Sequence, residues 1–282
     1  MKTRWLNYGK IVELQKQDMI SKKSEYYVYR HFSSPFTWLF VNFGIAPNTI
    51  TISSIFLCVI GFFFMASGRY VNTVIGLLIL ILFKIMDMSD GEVARIENKK
   101  SLEGIYFDRI SHYVYTCCLG LGMGLGFFRL YEKDYMLLLA VFFTMAFVLE
   151  NAAIDMLKSV LREGFDKIKA ARKEAYSSED YYKRAQKKIF SRINANHSWA
   201  ESNIFIKLFG ILPIQGLIYS DTFIAPILLL LTIIEIQFNF TILPFYLLIV
   251  SFSKAAWIIF FLAKIEMKRS ITGILGEANE KE

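Results

Sequence analysis

Between residues 84 and 112 the chain gathers side chains that could do chemistry: Lys84, Asp87, Asp90, Arg95, Asp108 and His112. If the apolar helix leading into this stretch continues through it, Asp87, Asp90, Gly91 and Ala94 are related by steps of three and four and share one face. Asp108 and His112, four residues apart, share a face of the next apolar run. A short charged turn, residues 97–103, would fold the two faces together as a helical hairpin. Three carboxylates and an imidazole then converge. Hard oxygen donors with no thiolate among them suit Mg²⁺ or Mn²⁺, ions that commonly hold the phosphates of a nucleotide. Gly91 and Ala94 would let a ligand come close to the helix, and Arg95 can clamp a phosphate oxygen.

Charged groups inside apolar runs need helices that position them in a membrane. Of the 282 residues, 55% are hydrophobic and 16% aromatic, and the apolar ones fall in runs near the length of a bilayer crossing. Spans are expected near 50–68, 71–88, 105–128, 135–157, 211–236 and 242–264. The fold class is therefore an all-α integral membrane protein with six transmembrane helices. Lys and Arg crowd the segments 1–49, 95–100, 158–207 and 264–282, whereas the opposite turns hold only Arg69, Arg129 and Lys133. That asymmetry puts both termini and the acidic hairpin on the cytoplasmic side. The net charge of +7 records this topology and favours anionic lipid headgroups.

The spacing of Asp87, Asp90, Gly91, Ala94, Arg95, Gly104 and Asp108 resembles the signature of the CDP-alcohol phosphotransferases. These are membrane enzymes that move a substituted phosphate from a CDP-alcohol to an acceptor hydroxyl and release CMP. The resemblance implies that Asp87, Asp90 and Asp108 hold two divalent ions, Mg²⁺ or Mn²⁺. It also implies that Gly91, Ala94, Arg95 and Gly104 serve the nucleotide, and that the protein is a homodimer. The family pattern ends in a further Asp, its general base, where this chain carries His112. Imidazole changes protonation near neutral pH, so His112 is expected to take over as catalytic base. The segment Pro47-Asn48-Thr-Ile-Thr51 resembles the opening of the family's first span, which brings Asn48 and Thr51 to the nucleotide. Plain helix capping is the alternative for these two.

Other features organise the chain around that hairpin. Residues 1–48 form an N-terminal cytoplasmic and interfacial segment, without the apolar core of a signal peptide, in which residues 26–44 read as an amphipathic interfacial helix with Pro35 in its first turn. Residues 49–265 form the membrane domain, 158–204 a cytoplasmic insertion within it, and 266–282 a cytoplasmic tail. The insertion is either a helical extension of the fourth span with a returning segment, or a basic lid. Gly120, Gly122, Gly124 and Gly126 are read as close helix packing. Cys58, Cys117 and Cys118 are expected to be small buried hydrophobes.

Ionisable residues within spans are costly and tend to be paired or functional. Lys84, Asp155, Asp221 and Lys254 are accordingly candidates for binding the acceptor, with an ion pair between Lys254 and Glu150 or Asp221 as the structural alternative. The expected partners are a CDP-alcohol donor, a lipid or polar hydroxyl acceptor and membrane lipid, with no nucleic acid. Two other function classes compete: a non-catalytic relative that binds nucleotide or lipid, motivated by His112, and a cation-coupled transporter. The transporter accounts for the acids but not for Gly91, Ala94, Arg95 and Gly104 at their spacings.

Overall fold

The computed structural model of the chain describes residues 5–19, 25–99, 101–172 and 221–267, and among these it is helical throughout, with no strand. The helices are α1 (Tyr8–Met19), α2 (Glu25–Asn42), α3 (Pro47–Ala66), α4 (Tyr70–Ile96), α5 (Leu102–Tyr131), α6 (Tyr135–Arg172), α7 (Asp221–Phe238) and α8 (Leu243–Met267). Four stretches are long and apolar enough to cross a bilayer: α3, α4, α5 and residues Tyr135–Met156 of α6. They mark the chain as a membrane protein. The apolar parts of α7 and α8, Ile224–Phe238 and Leu243–Ala256, are shorter. The start of the expected fifth span, 211–220, lies outside the described residues, as does nearly all of the tail. Helix α6 carries on beyond its apolar part to Arg172, which matches the helical-extension reading for the beginning of the insertion; 173–204 lies outside the described residues.

The described helices fall into two compact units. The first holds α1 to α5, α6 up to Val148, α7, and α8 up to Ser251; the second holds the remaining parts of α6 and α8. The first unit packs around one apolar core to which six helices contribute, among them Cys58 and Met65 from α3, Leu80 and Phe83 from α4, and Leu119 and Phe127 from α5. Phe143 of α6, Leu228 of α7 and Leu247 of α8 complete it.

Apolar surface alone does not drive helices together in lipid, so close approach matters. The glycine run of α5 provides it on two sides. A two-residue alternation turns about 200° around a helix, so the run makes two stripes. A side chain at Gly122 or Gly126 would collide with Met65 of α3, and one at Gly120 or Gly124 with Thr144 or Ala140 of α6. Helix α5 is thereby wedged between its own neighbours. Gly61 and Gly76 do the same for α3 and α4, since a Cβ on Gly61 would stand 3.1 Å from the carbonyl oxygen of Gly76.

Two expectations about the entry segment are corrected. Pro35 lies in the interior of α2 and not in its first turn. The helix begins earlier than the proline suggested, and tertiary contacts of its buried face hold it through the missing N–H. Ala46 is the N-cap of α3, with no side-chain cap and with Pro47 in the first turn, so neither Asn48 nor Thr51 caps that helix. The Thr51 hydroxyl is used by Asp90 instead.

Helix α2 is fastened to the back of α4. Glu92, only 2% exposed, accepts hydrogen bonds from Ser33 (3.2 Å to each oxygen) and Thr37 (2.6 Å). Ser89 lies beside them, buried and bonded to the Ile85 carbonyl at 2.9 Å. Tyr29 is buried in the same helix, and burial pushes its phenol up to about 12, which keeps it neutral. At the other end of the first unit Glu235 of α7 binds together four segments. It accepts from Tyr70 (2.8 Å), from Tyr131, and from the backbone N–H groups of Ile242 (2.9 Å) and Leu243 (3.1 Å) that open α8.

Candidate active site

The helical hairpin expected from the sequence is formed by α4 and α5. Helix α4 runs unbroken through Asp87, Asp90, Gly91, Ala94 and Arg95, and ends at Ile96 with Asn98 in the left-handed conformation of the turn (φ 54°). Ser101 caps α5, its hydroxyl accepting from the N–H of Gly104 at 3.0 Å. Asp108 and His112 follow on the facing side of α5.

Asp87, Asp108 and His112 come together most tightly. Ligand atoms of Asp87, Asp108 and His112 all lie within 4.8 Å of one another. His112 Nε2 stands 3.7 Å from Asp87 Oδ2 and 3.9 Å from Asp108 Oδ1. Asp87 is nearly closed off, its side chain 9% exposed, whereas Asp108 is 54% exposed and His112 40%. The cluster is therefore shut on the α4 side and open on the α5 side, where a soluble headgroup or nucleotide can enter. Asp90, one turn beyond Asp87, stands outside that trio. It is buried, and its Oδ2 accepts a hydrogen bond of 2.5 Å from the hydroxyl of Thr51 on α3.

The remaining motif residues sit around this core. A Cβ on Gly104 would come within 3.3 Å of Asn48 Oδ1, so the glycine allows the start of α5 to lie against the start of α3. The Arg95 guanidinium folds back over Gly91, with Nη1 3.4 Å from where a Cβ would be. Ala94 lies partly exposed on the same helix. Lys84, 5% exposed, reaches His112 Nδ1 at 3.2 Å and lies 4.4 Å from the centroid of the Tyr115 ring.

Of the other acceptor candidates, Lys254 pairs with Glu150 at 2.5 Å within the second unit, as the structural alternative had it. Asp155 belongs to α6 in that unit, and the Asp221 side chain lies outside the described residues.

Two supporting residues escaped the sequence reading. The hydroxyl of Ser111, fully buried, lies 3.1 Å from Asp87 Oδ1 and 2.7 Å from the Asp108 carbonyl oxygen, its one proton shared between these acceptors, and so ties the two halves of the hairpin together. Its place one residue before His112 was the only available signal. Glu92 lies inside the motif, but nothing in the sequence connects it to Ser33 and Thr37.

Acids from two membrane helices thus meet at one open end, with a histidine beside them. Residues 44–187, just over half of the chain, match the family model for CDP-alcohol phosphatidyltransferase, and the chain belongs to that family. It is a transferase family that uses divalent metals. A search of the curated proteins found no match.

The residues present fit such ions. Asp87 and Asp108 offer carboxylate oxygens from facing helices within a single small cluster, with the buried carboxylate of Asp90 one turn away.

Proposed function

We propose that this chain is a membrane phosphotransferase that moves a substituted phosphate from a CDP-alcohol to an acceptor hydroxyl, in the synthesis of phospholipids or related phosphodiesters. The observation that carries this reading is the meeting of Asp87 and Asp108 with His112 at the open end of α4 and α5, inside the region matched by the family.

Asp87, Asp90 and Asp108 would hold two Mg²⁺ or Mn²⁺ ions, which neutralise the pyrophosphate and polarise its phosphorus when bound. Thr51 and Ser111 fix the carboxylates of Asp90 and Asp87. Arg95, Gly91, Ala94, Gly104 and Asn48 receive the nucleotide, the small residues by giving it room and the guanidinium by charge. In the transfer the acceptor oxygen bonds to phosphorus and the bond from phosphorus to the CMP oxygen breaks, its electron pair leaving with CMP. The hydroxyl proton ends on the CMP phosphate, whose second ionisation lies near pH 6, or passes from there to water. By analogy with the family's last Asp, the sequence assigns the first capture of that proton to His112. Lys84 and Lys254 have His112 and Glu150 as partners, which leaves them less suited to holding the acceptor.

The same reading takes α7 and α8 as the fifth and sixth spans. It keeps the termini and hairpin cytoplasmic on the strength of the Lys and Arg distribution, and lays α2 in the interface, where Phe32, Leu39 and Phe43 are exposed. A homodimer is supported by the family resemblance alone, since the glycine run is occupied within the chain. Purified protein, screened against a panel of CDP-alcohols with lipid and polar acceptors and read by CMP release, tests the function. Turnover with one pair identifies the substrates, and no CMP from any pair refutes it.

A further inference from the structure

Helix α2 turns Phe32, Leu39 and Phe43 outward, while its hydroxyl residues Ser33 and Thr37 are fully buried. What those hydroxyls hold is Glu92 of α4, itself 2% exposed. Thr37 donates to Glu92 Oε2 at 2.6 Å, and the Ser33 hydroxyl stands 3.2 Å from both carboxylate oxygens. Ser89, one turn before Glu92 on the same face, has its hydroxyl 3.4 Å from the Ser33 carbonyl oxygen. Helix α2 therefore grips α4 at two levels, and Asp90 and Gly91 lie between them. Asp90, two residues before Glu92, is about 200° around the helix from it, on the side of the acid site. Gly91 makes this turn a weak one, since glycine inside a helix costs about 0.5–1 kcal/mol relative to alanine. Support from a neighbouring helix matters most there.

The same contact reaches α3. Phe40 of α2, Ile50 of α3 and Val93 of α4 are buried in one apolar cluster. Ile50 precedes Thr51, whose hydroxyl bonds Asp90 at 2.5 Å, and Val93 follows Glu92. Apolar contact is non-directional and leaves a helix able to turn about its axis. A buried carboxylate held by two hydroxyls is directional and fixes that rotation.

We propose that Glu92 is a positioning residue for the divalent-metal site: gripped by Ser33 and Thr37, it sets the rotation of α4 that brings Asp90 to Thr51 and aligns its carboxylate for the ion. Glu92 itself never touches the ion. The inference rests on the phosphotransferase reading for the ion it serves, and metal binding tests it without any substrate.

The experiment is Mn²⁺ titration of the purified full-length protein by electron paramagnetic resonance, well below the unfolding midpoint of each variant. Thr37→Val keeps the shape of the side chain and removes the shorter of the two contacts to Glu92. It is expected to weaken Mn²⁺ binding at least about fivefold, less than the about 10–100-fold typical for losing a ligand's own hydrogen-bond partner. Thr37→Ser, which restores a hydroxyl, is expected to recover the parental affinity. If Glu92 only packs α2 onto α4, Thr37→Val lowers the unfolding midpoint and leaves the affinity of the folded protein at the parental value, and that result overturns the proposal. A second measurement follows the route. Because the latch acts through the contact of Thr51 with Asp90, the losses in Thr37→Val and Thr51→Val are expected not to add in the double variant. Full additivity contradicts that route. Parent protein that binds no Mn²⁺ refutes the metal reading of the hairpin and this proposal with it, whereas parental binding that Thr37→Val leaves unchanged refutes this proposal alone.

Discussion

Thr51 on α3 and Asp90 on α4 are joined by a hydrogen bond of 2.5 Å between two buried side chains. It links the opening of the first span to the second acid of the motif, across 39 residues of sequence. The Thr51 hydroxyl also contacts the Pro47 carbonyl at 3.2 Å, so its orientation is set from both sides.

Removing that hydroxyl should weaken metal binding more than it disturbs the fold. Thr51→Val keeps the shape of the side chain and leaves Asp90 Oδ2 without its donor. Loss of such a supporting contact typically costs about 10–100-fold in metal affinity. Mn²⁺ titration of the purified protein by electron paramagnetic resonance should show this loss in Thr51→Val and its recovery in Thr51→Ser. Equal affinity in Thr51→Val and the parent would mean that Thr51 serves the nucleotide or packing alone.

Glu235 is expected to be a stability residue with no part in the chemistry. Glu235→Ala strands the phenols of Tyr70 and Tyr131 and the N–H groups that open α8, all of which it now satisfies. Each buried donor left unpaired costs about 1–3 kcal/mol. Thermal unfolding in detergent should shift well down for Glu235→Ala and less for Glu235→Gln, which retains an acceptor oxygen. An unchanged midpoint in Glu235→Ala would contradict the role given to this cluster.

The glycine run makes a separate prediction. Gly120→Val and Gly124→Leu push into Thr144 and Ala140 of α6 in the same chain. Overpacking of this kind costs about 1–3 kcal/mol. Lower thermal stability with an unchanged oligomeric mass is the expected result. If instead the mass changes and the stability does not, the stripe packs against a second copy.

Much of the site was legible because the information is local. Asp87, Asp90 and Ala94 repeat at helical spacing, Asp108 and His112 do likewise, and a turn too short to do anything but reverse the chain brings the two sets together. The hydrogen bond of Asp90 to Thr51 was not legible, because a buried carboxylate seeks a donor and α3 supplies one from a residue whose spacing to Asp90 has no periodic meaning. Glu92 was invisible for the same reason, its partners Ser33 and Thr37 lying 59 and 55 residues away. The glycines were recognisable as packing residues, yet only the tertiary arrangement reveals that α3 and α6 are what they pack against. Pro35 was misplaced because a proline is read as a helix start, whereas the docked face of α2 carries the helix through it. The apolar runs announced the four long helices directly.

The central claim is that the acids of the α4–α5 hairpin hold the metal ions needed for phosphoryl transfer. Its most direct test is CMP release by purified parent protein, Asp87→Asn, Asp90→Asn and Asp108→Asn, each with Mg²⁺, with Mn²⁺ and with a chelator. Each substitution removes a charge meant for a divalent cation while leaving the helices free to insert. The account predicts metal-dependent release by the parent, its loss with the chelator, and a fall of at least about a hundredfold in each variant. Metal-dependent release that persists in all three variants would contradict it.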